Sequence, residues 1–371
     1  FPWNLLAHTL SNYNILIQIC SIIGVYGLTF FIVYSVVSIN IFIFELNKKK
    51  HLFLLFSFIF ILSSIFLYGS NRLKNSNLEI FNNKLIRVVQ PNINQKDKLE
   101  FSKIEENYKE LINLSFENKF YPSKNTIVFW AETALLNIEH ITKYKIFKKL
   151  KLNLKENGYL ITGAFKKEQN NFYNSIAVID NNLSTNFLYD KIHLVPFGEY
   201  GPFSSFFNSL GFNFSGLKKG SFDQKKIKYK DFPSFKALIC YEIIFPGNFI
   251  KKDKPTILVN FTNDAWFGNT FGPHQHFANS IFRAVEEGKS LIRIANTGIS
   301  ASIDPYGRIL KKIPLNSQGY FDTEIFIAKK DDKIMNTIYS EYKNNLFFSL
   351  LIILFFLFCI LKYGIGRILK N

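Results

Sequence analysis

Three side chains suited to acyl transfer stand in separate stretches of this sequence. Glu132 ends TIVFWAE (126–132), Lys191 lies in DKIHLVPFGEY, and Cys240 lies in FKALICYE (235–242). A cysteine attacks as its thiolate, and a free thiol titrates near ~8.5, so it needs a neighbouring base or cation. A carboxylate can take the thiol proton, and an ammonium can stabilise both the thiolate and the oxyanion formed when a carbonyl is attacked. Taken singly, each residue has an ordinary reading. A cysteine in an apolar strand is usually core packing, a glutamate after a strand is a solvated loop group, and a lone lysine lies on the surface. What separates these three is their order, Glu, Lys, Cys, each within its own distinctive local sequence. Of the three cysteines, Cys20 and Cys359 lie inside apolar runs, so Cys240 stands alone in the polar part of the chain. That part therefore holds no disulfide and no cysteine-based metal site.

Such residues need rigid elements to aim them, and in α/β proteins sites assemble where strands end. The polar part supplies β-rich runs at LIRVVQ (85–90), TIVFWAE (126–132), YLITGAF (159–165), SIAVID (175–180), FKALICYE (235–242) and TILVNFTND (256–264). Charged stretches with helical spacing lie between them at 97–119 and 138–156, and a further helix is expected over 276–290. Several runs are nearly all apolar, as strands covered on both faces are. The expectation is an α/β domain over 78–335, with polar linkers at 69–77 and 329–345.

Three apolar stretches flank this domain, at 15–44, 52–68 and 346–361. The first carries no charge. The other two sit near the lower limit of the roughly 17–25 residues a bilayer core requires, with polar flanks able to snorkel. None shows the polar face of a buried globular helix. Spans are therefore expected at about 22–45, 52–68 and 345–362, with residues 1–70 forming a partial N-terminal membrane region. The first is too long, and too far from a basic segment, to be a cleaved signal peptide. Lys48, Lys49, Lys50 and His51 join the first two spans, and Lys362, Arg367 and Lys370 follow the third. The positive-inside rule makes both sets cytoplasmic and leaves the domain on the other side. The chain opens at Phe1 and its single methionine is Met335, so a missing upstream segment is expected.

The formal net charge of +17 raises the question of nucleic acid. The basic residues are spread along the chain, with no helix-turn-helix spacing, RNP-like aromatic box or Cys/His finger, so no nucleic-acid partner is expected. Attraction to an anionic bilayer surface fits the charge better. His193, His274 and His276 lack the carboxylate spacing of a metal site and read as hydrogen-bonding residues; no metal or cofactor is expected.

The segments VFWAET, YDKIHLVPFGEY, ALICYEIIFP and NFTNDAWFG resemble the signatures of the nitrilase (carbon–nitrogen hydrolase) superfamily. Within it, KIHLVPFGEY, NDAWFGNTFGPHQHF and RAVEEGKSLIRIANTGISASIDPYGRI resemble the apolipoprotein N-acyltransferase family, as do FPW at the start and the GVYGLTFF span. The resemblance implies an α/β fold of the nitrilase-like αββα sandwich type, attached to transmembrane helices. It implies Glu132 as general base, Lys191 as oxyanion-stabilising cation and Cys240 as nucleophile, supported by Glu199, Tyr241 and Glu242. The implied reaction is ping-pong. An acyl chain passes from a phospholipid donor to Cys240 as a thioester, then to the α-amine of a diacylglyceryl apolipoprotein acceptor. The implied setting is the bacterial inner membrane, with several spans and the catalytic domain facing the periplasm. Three departures stand out: fewer N-terminal spans than the family has, Leu99 where some relatives place tryptophan, and Ala131 where proline commonly precedes the glutamate. An anchored nitrilase-like amidase, with water as acyl acceptor, is the alternative, and a catalytically dead binding module is a third reading.

Residues 197–220 combine glycines with Phe203, Phe206, Phe207, Leu210, Phe212 and Phe214. This stretch is either an aromatic loop folded onto the domain or a membrane-dipping lid that admits acyl chains beside Lys191. Phe206, Phe207 and Phe212 are the expected lid contacts, with Trp266, Phe267 and Phe271 on the opposite wall.

Overall fold

The computed structural model describes residues 1–44, 48–117, 126–154, 158–201, 216–221, 226–247, 254–330 and 333–368. Its layering follows from the alternation of side chains along the strands. On strand β2 (Thr126–Leu135), Ile127, Phe129 and Ala131 enter one buried cluster while Val128 and Trp130 enter another. On β6 (Phe235–Ile239), Phe235, Ala237 and Ile239 join that same first cluster, while Leu238 turns to a third. The shared cluster is the apolar layer between two sheets, and the other two lie on their outer faces.

The larger sheet is built from β1 (Leu78–Gln90), β2, β3 (Tyr159–Glu168), β4 (Asn171–Asp180), β5 (Thr185–Asp190), β11 (Gly319–Lys330) and β12 (Lys333–Ile334). Its strand order is β12-β11-β1-β2-β3-β4-β5. The smaller sheet holds β6, β7 (Ile257–Thr262), β8 (Leu291–Ala295), β9 (Ser300–Ile303) and β10 (Ile309–Ile313), ordered β10-β9-β8-β7-β6. Parallel pairing, β1-β2-β3 within the larger sheet and β6-β7-β8 on one side of the smaller, sends neighbouring strands out at a common end.

Helices cover both outer faces, as all-apolar parallel strands require. The helix over Ile104–Phe116 lays Ile104, Tyr108, Leu111 and Ile112 on the larger sheet. The helix over Gly272–Glu287 covers the smaller one with Phe277, Ile281, Phe282 and Val285, and stops where Gly288 takes φ 62. The result is the expected αββα sandwich. We number the helices used below α1 (Cys20–Phe44), α2 (Lys48–Lys74), α3 (Gln95–Leu99), α4 (Ile104–Phe116), α5 (Gly272–Glu287), α6 (Ile338–Tyr342) and α7 (Asn345–Ile368).

Two helical stretches, Cys20–Phe44 and His51–Lys74, are long and apolar enough to cross a membrane; the apolar part of α7, Asn345–Ile360, is shorter. α1 breaks at Gly24, whose φ of 69 and ψ of 179 interrupt the helix. A Cβ there would lie 2.3 Å from the Tyr339 ring, so the position has no room for a side chain. Beyond the break the Val25 N–H donates to Glu286 Oε1 at 2.7 Å, which fastens α1 to α5.

Several expected elements differ in detail. The helix expected at 97–119 begins at Ile104, with α3 as a separate short turn before it. The one expected over 138–156 is broken into short pieces, because Tyr144 is extended at φ −94 and ψ 122. Residues 69–77 are largely helical, since α2 runs on to Lys74. Residues 329–345 hold β12 and α6, the latter capped by Thr337 Oγ1 accepting from the Ser340 N–H at 2.9 Å.

Candidate active site

The strict alternation of β2 would send Glu132 to the helix layer with Val128 and Trp130. A register shift against β3 between Trp130 and Leu135, with Thr133 at φ 48, re-aims it. Gly163 on β3 leaves room for this bulge; a Cβ there would lie 2.6 Å from the Glu132 Cα and 2.4 Å from the Thr133 N. The Glu132 carboxylate is then held at both oxygens. Oε1 accepts from Asn174 Nδ2 at 2.7 Å, and Oε2 accepts from the Asn263 N–H at 2.8 Å. Behind it, Lys98 Nζ donates to the Glu132 carbonyl at 2.9 Å and to Thr133 Oγ1 at 2.7 Å.

β6 ends in a comparable break. Cys240 takes φ 48 and starts a 3-10 turn, Cys240–Ile244. Glu242 pins this turn by accepting from the Ile239 N–H at 2.7 Å. The same carboxylate accepts from the N–H groups of Ile192 and His193, at 2.7 and 3.0 Å, and from the Tyr189 hydroxyl at 2.9 Å. Glu242 therefore ties the loop after β5 to the turn that carries the thiol. Burial raises its pKa even so, against the pull of these N–H donors.

Lys191 follows β5 and is anchored through its own N–H to the Asn174 carbonyl at 2.8 Å. Its Nζ donates to Glu199 Oε1 at 2.8 Å and reaches Glu132 Oε1 at 3.4 Å. Burial opposes its charge, but Glu132, Glu199 and Cys240 outweigh that penalty and hold its pKa above the ordinary range. It stays an ammonium. Glu199 is itself braced, Oε2 accepting from the Val195 N–H at 2.8 Å.

Burial, and then the neighbouring Glu132, push the Cys240 thiol up, and Lys191 offsets only part of this. The resting sulfur is therefore a thiol, and attack requires its proton to leave as the substrate arrives. A carboxylate, an ammonium and a thiol gathered in one buried site are fitted to take an acyl group from an ester or amide by general-base-assisted attack.

Of the residues singled out in the sequence, Glu132, Lys191, Glu199, Cys240 and Glu242 converge here. Tyr241 lies half-buried at the edge, its ring 5.0 Å from that of Phe245 and 6.2 Å from that of Phe1. Trp266 is 71% exposed beside the site, in the turn Asp264–Phe267. Phe206, Phe207 and Phe212 lie outside the described residues. Sequence reasoning missed Asn174, Asn263 and Lys98. Asn174 carried a usable signal, since asparagine is depleted in strand interiors and this one sits within β4. Among the described residues no group of three or more His, Cys, Asp or Glu side chains is placed to hold a metal.

The Carbon-nitrogen hydrolase family matches residues 85–331, and the Apolipoprotein N-acyltransferase N-terminal domain matches residues 1–38. A protein of Rickettsia typhi named apolipoprotein N-acyltransferase is 38% identical over 366 residues, covering 96% of this chain and 71% of the relative. One of the same name from Rhodopseudomonas palustris is 32% identical, covering 87% of this chain and 63% of the relative. Among solved structures, a carbon-nitrogen hydrolase of Helicobacter pylori is 16% identical with a TM-score of 0.48, over 65% of this chain and 88% of that one. A CN-hydrolase superfamily protein of Xanthomonas campestris gives 14% and 0.46, over 65% and 90%.

Proposed function

Since the chain belongs to the apolipoprotein N-acyltransferase family, we propose that it moves an acyl chain from a phospholipid, through a thioester on Cys240, to the N-terminal amine of a diacylglyceryl-cysteine lipoprotein. One observation carries this reading. Lys191 Nζ lies 3.4 Å from Glu132 Oε1 and within the electrostatic reach of the Cys240 thiol, although the three residues arrive from three different strand ends.

In the first half-reaction Glu132 takes the thiol proton as the sulfur attacks the ester carbonyl carbon. Lys191 Nζ faces the oxyanion that forms. Collapse of the intermediate breaks the carbon–oxygen bond, and the leaving lysophospholipid oxygen takes the proton back from Glu132. In the second, the lipoprotein amine attacks the thioester carbonyl, its proton passes to Glu132, and the departing sulfur recovers a proton from the same carboxylate. One carboxylate serves both steps, which suits its fixation at both oxygens. The helices long and apolar enough to cross a membrane, together with the basic residues at 48–51 and after 361, support a multi-pass arrangement with the domain at 78–335 on the periplasmic face of the inner membrane.

The experiment is mass spectrometry of the chain after incubation with excess phospholipid. An acyl mass on the peptide bearing Cys240, removed by a diacylated lipopeptide faster than by water, is the expected result. No adduct removes the acyltransferase reading, and discharge to water alone turns it into an anchored hydrolase.

A further inference from the structure

We propose that His276 is a positioning residue for the nucleophile, its Nε2–H holding the Cys240 carbonyl and with it the left-handed turn that presents the thiol. The inference rests on Cys240 being the nucleophile. Nothing in the proposed chemistry uses His276, yet it is completely buried beside the site. The pairing of β6 with β7 ends at Ile239 opposite Phe261, so the Cys240 carbonyl has left the ladder. A buried carbonyl without a partner is costly, and a non-glycine residue at φ 48 persists only where its surroundings over-determine it. His276 Nε2 lies 3.1 Å from that carbonyl oxygen.

The other ring nitrogen sets the tautomer. Nδ1 lies 3.1 Å from Arg293 Nη2, which can only donate. Burial and the Arg293 charge push the imidazole pKa down against the opposing pull of Asp264, and Nε2 faces the Cys240 carbonyl, which only accepts, so the neutral ring meets that carbonyl with its proton on Nε2. Asp264 completes the support. Its Oδ2 accepts from Arg293 Nη2 at 2.7 Å, and its Oδ1 accepts from Thr262 Oγ1 at 2.9 Å. Oδ1 also lies 2.9 Å from Nδ1, so a ring that gains a second proton finds an acceptor there without releasing the carbonyl. Gly298 allows this close approach, because a Cβ there would fall 2.1 Å from Asp264 Oδ2.

Aromatic neighbours hold the ring as well. Trp3 stacks on the imidazole at 5.4 Å and 18°, and Phe267 meets it edge-on at 5.7 Å and 72°. Trp3 is itself tied to α5, its Nε1 donating to Gln275 Oε1 at 2.8 Å. The prop under the nucleophile is thus roofed by the segment that leads into α1.

The test compares the full chain with His276→Gln and His276→Leu in phospholipid vesicles, reading the single-turnover rate of thioester formation, the KM for lipid and thermal unfolding. The glutamine amide nitrogen still donates to the carbonyl, whereas leucine fills space without a donor. His276→Leu is expected to slow thioester formation about 10- to 100-fold with KM nearly unchanged, and His276→Gln to remain within about fivefold of the native rate, since small misplacements of reacting groups carry losses of that size. A leucine variant as fast as the native chain, or a glutamine variant as slow as the leucine one, overturns the proposal. If the leucine variant does not fold, the glutamine variant decides alone: a loss of about 100-fold sinks it. Nitrogen-15 NMR of histidine-labelled native chain is expected to show His276 as the Nε2–H tautomer; a neutral ring protonated at Nδ1 refutes the inference. Absence of any acyl adduct on native Cys240 would instead remove the reading on which it rests, and the tautomer measurement separates the two failures.

Discussion

Strands β2 and β6 both break at a residue with φ 48, Thr133 in one and Cys240 in the other, and both present their side chain at the same end of the sandwich. What surrounds the two side chains differs. Glu132 is clamped at its functional end, with Asn174 on one carboxylate oxygen and the Asn263 N–H on the other. Cys240 is clamped through its peptide instead, by His276 at its carbonyl and by Glu242, which holds the N–H one residue before it. The difference matches the work proposed for each. A base that receives and returns a proton twice gains from an immobile carboxylate, whereas a sulfur that must form and break a bond gains from a fixed origin, with Thr262 as the side-chain partner of the thiol. The comparison also separates the two carbonyl props. Lys98 under Glu132 is a flexible chain, while His276 under Cys240 is a flat ring stacked on Trp3 and met edge-on by Phe267.

The sharpest way to break this contrast is Glu132→Gln, which keeps the side chain's shape and one of the two clamp hydrogen bonds and removes the basicity. Thioester formation should fall about 10²- to 10⁴-fold, the range for loss of a general base, with lipid binding retained. A rate near the native one would show that the clamped carboxylate is not the base. Asn174→Leu tests the clamp itself. It leaves Glu132 Oε1 with Lys191 Nζ alone, at 3.4 Å, and removes a donor 3.2 Å from Glu199 Oε1. A loss of about 10- to 100-fold in both half-reactions is expected, the scale of leaving a buried hydrogen-bonding partner unsatisfied. A loss confined to the second half-reaction would mean that Asn174 serves the acceptor and not the base.

The smallest effect is expected at Lys98. Burial lowers its pKa from 10.5 to about 8, against the opposing pull of Glu132. Between those values the unfolded chain binds the proton and the folded chain does not, so native stability rises with pH across that window. Below about pH 8 both states are protonated and the cost of the buried charge is fully present. Lys98→Met should flatten this rise, measured as the denaturation midpoint at pH 7.5 against pH 10, while slowing turnover only a few-fold, the effect of a lost neutral-range hydrogen bond. Parallel pH dependence in both chains would show that Lys98 is hydrated and no prop.

The αββα sandwich and the roles of Glu132 and Cys240 came from the family resemblance, but the strands that end at them were legible in nearly all-apolar runs. The partners that fix them were not. Asn174 lies 42 residues from Glu132 in sequence, and His276 lies 36 from Cys240; only strand order in the larger sheet and the packing of α5 on the smaller one bring them together. Charge spacing misled over 138–156, where lysines at helical intervals say nothing of the extended Tyr144 that divides the stretch. The polar stretches taken for linkers failed for a related reason. Residues such as Tyr339 and Lys343 find buried or ionic partners in α1 and α5, among them Glu287, which Lys343 Nζ meets at 2.7 Å.

The junction at Gly24 and Val25 has a consequence for where the reaction can occur. A long apolar helix joined to a domain by a loose tether would let that domain bob and tilt over a bilayer. Here the Val25 N–H is bonded to Glu286 of α5, and α5 also carries the ring that supports the Cys240 peptide. Under the proposed function, with α1 crossing the bilayer, the sulfur would ride at a set height above the lipid ester groups, as a stylus held by its arm. On the proposed reaction, membrane thickness then becomes a variable of its kinetics, because it moves the ester plane while the thiol stays where α1 places it.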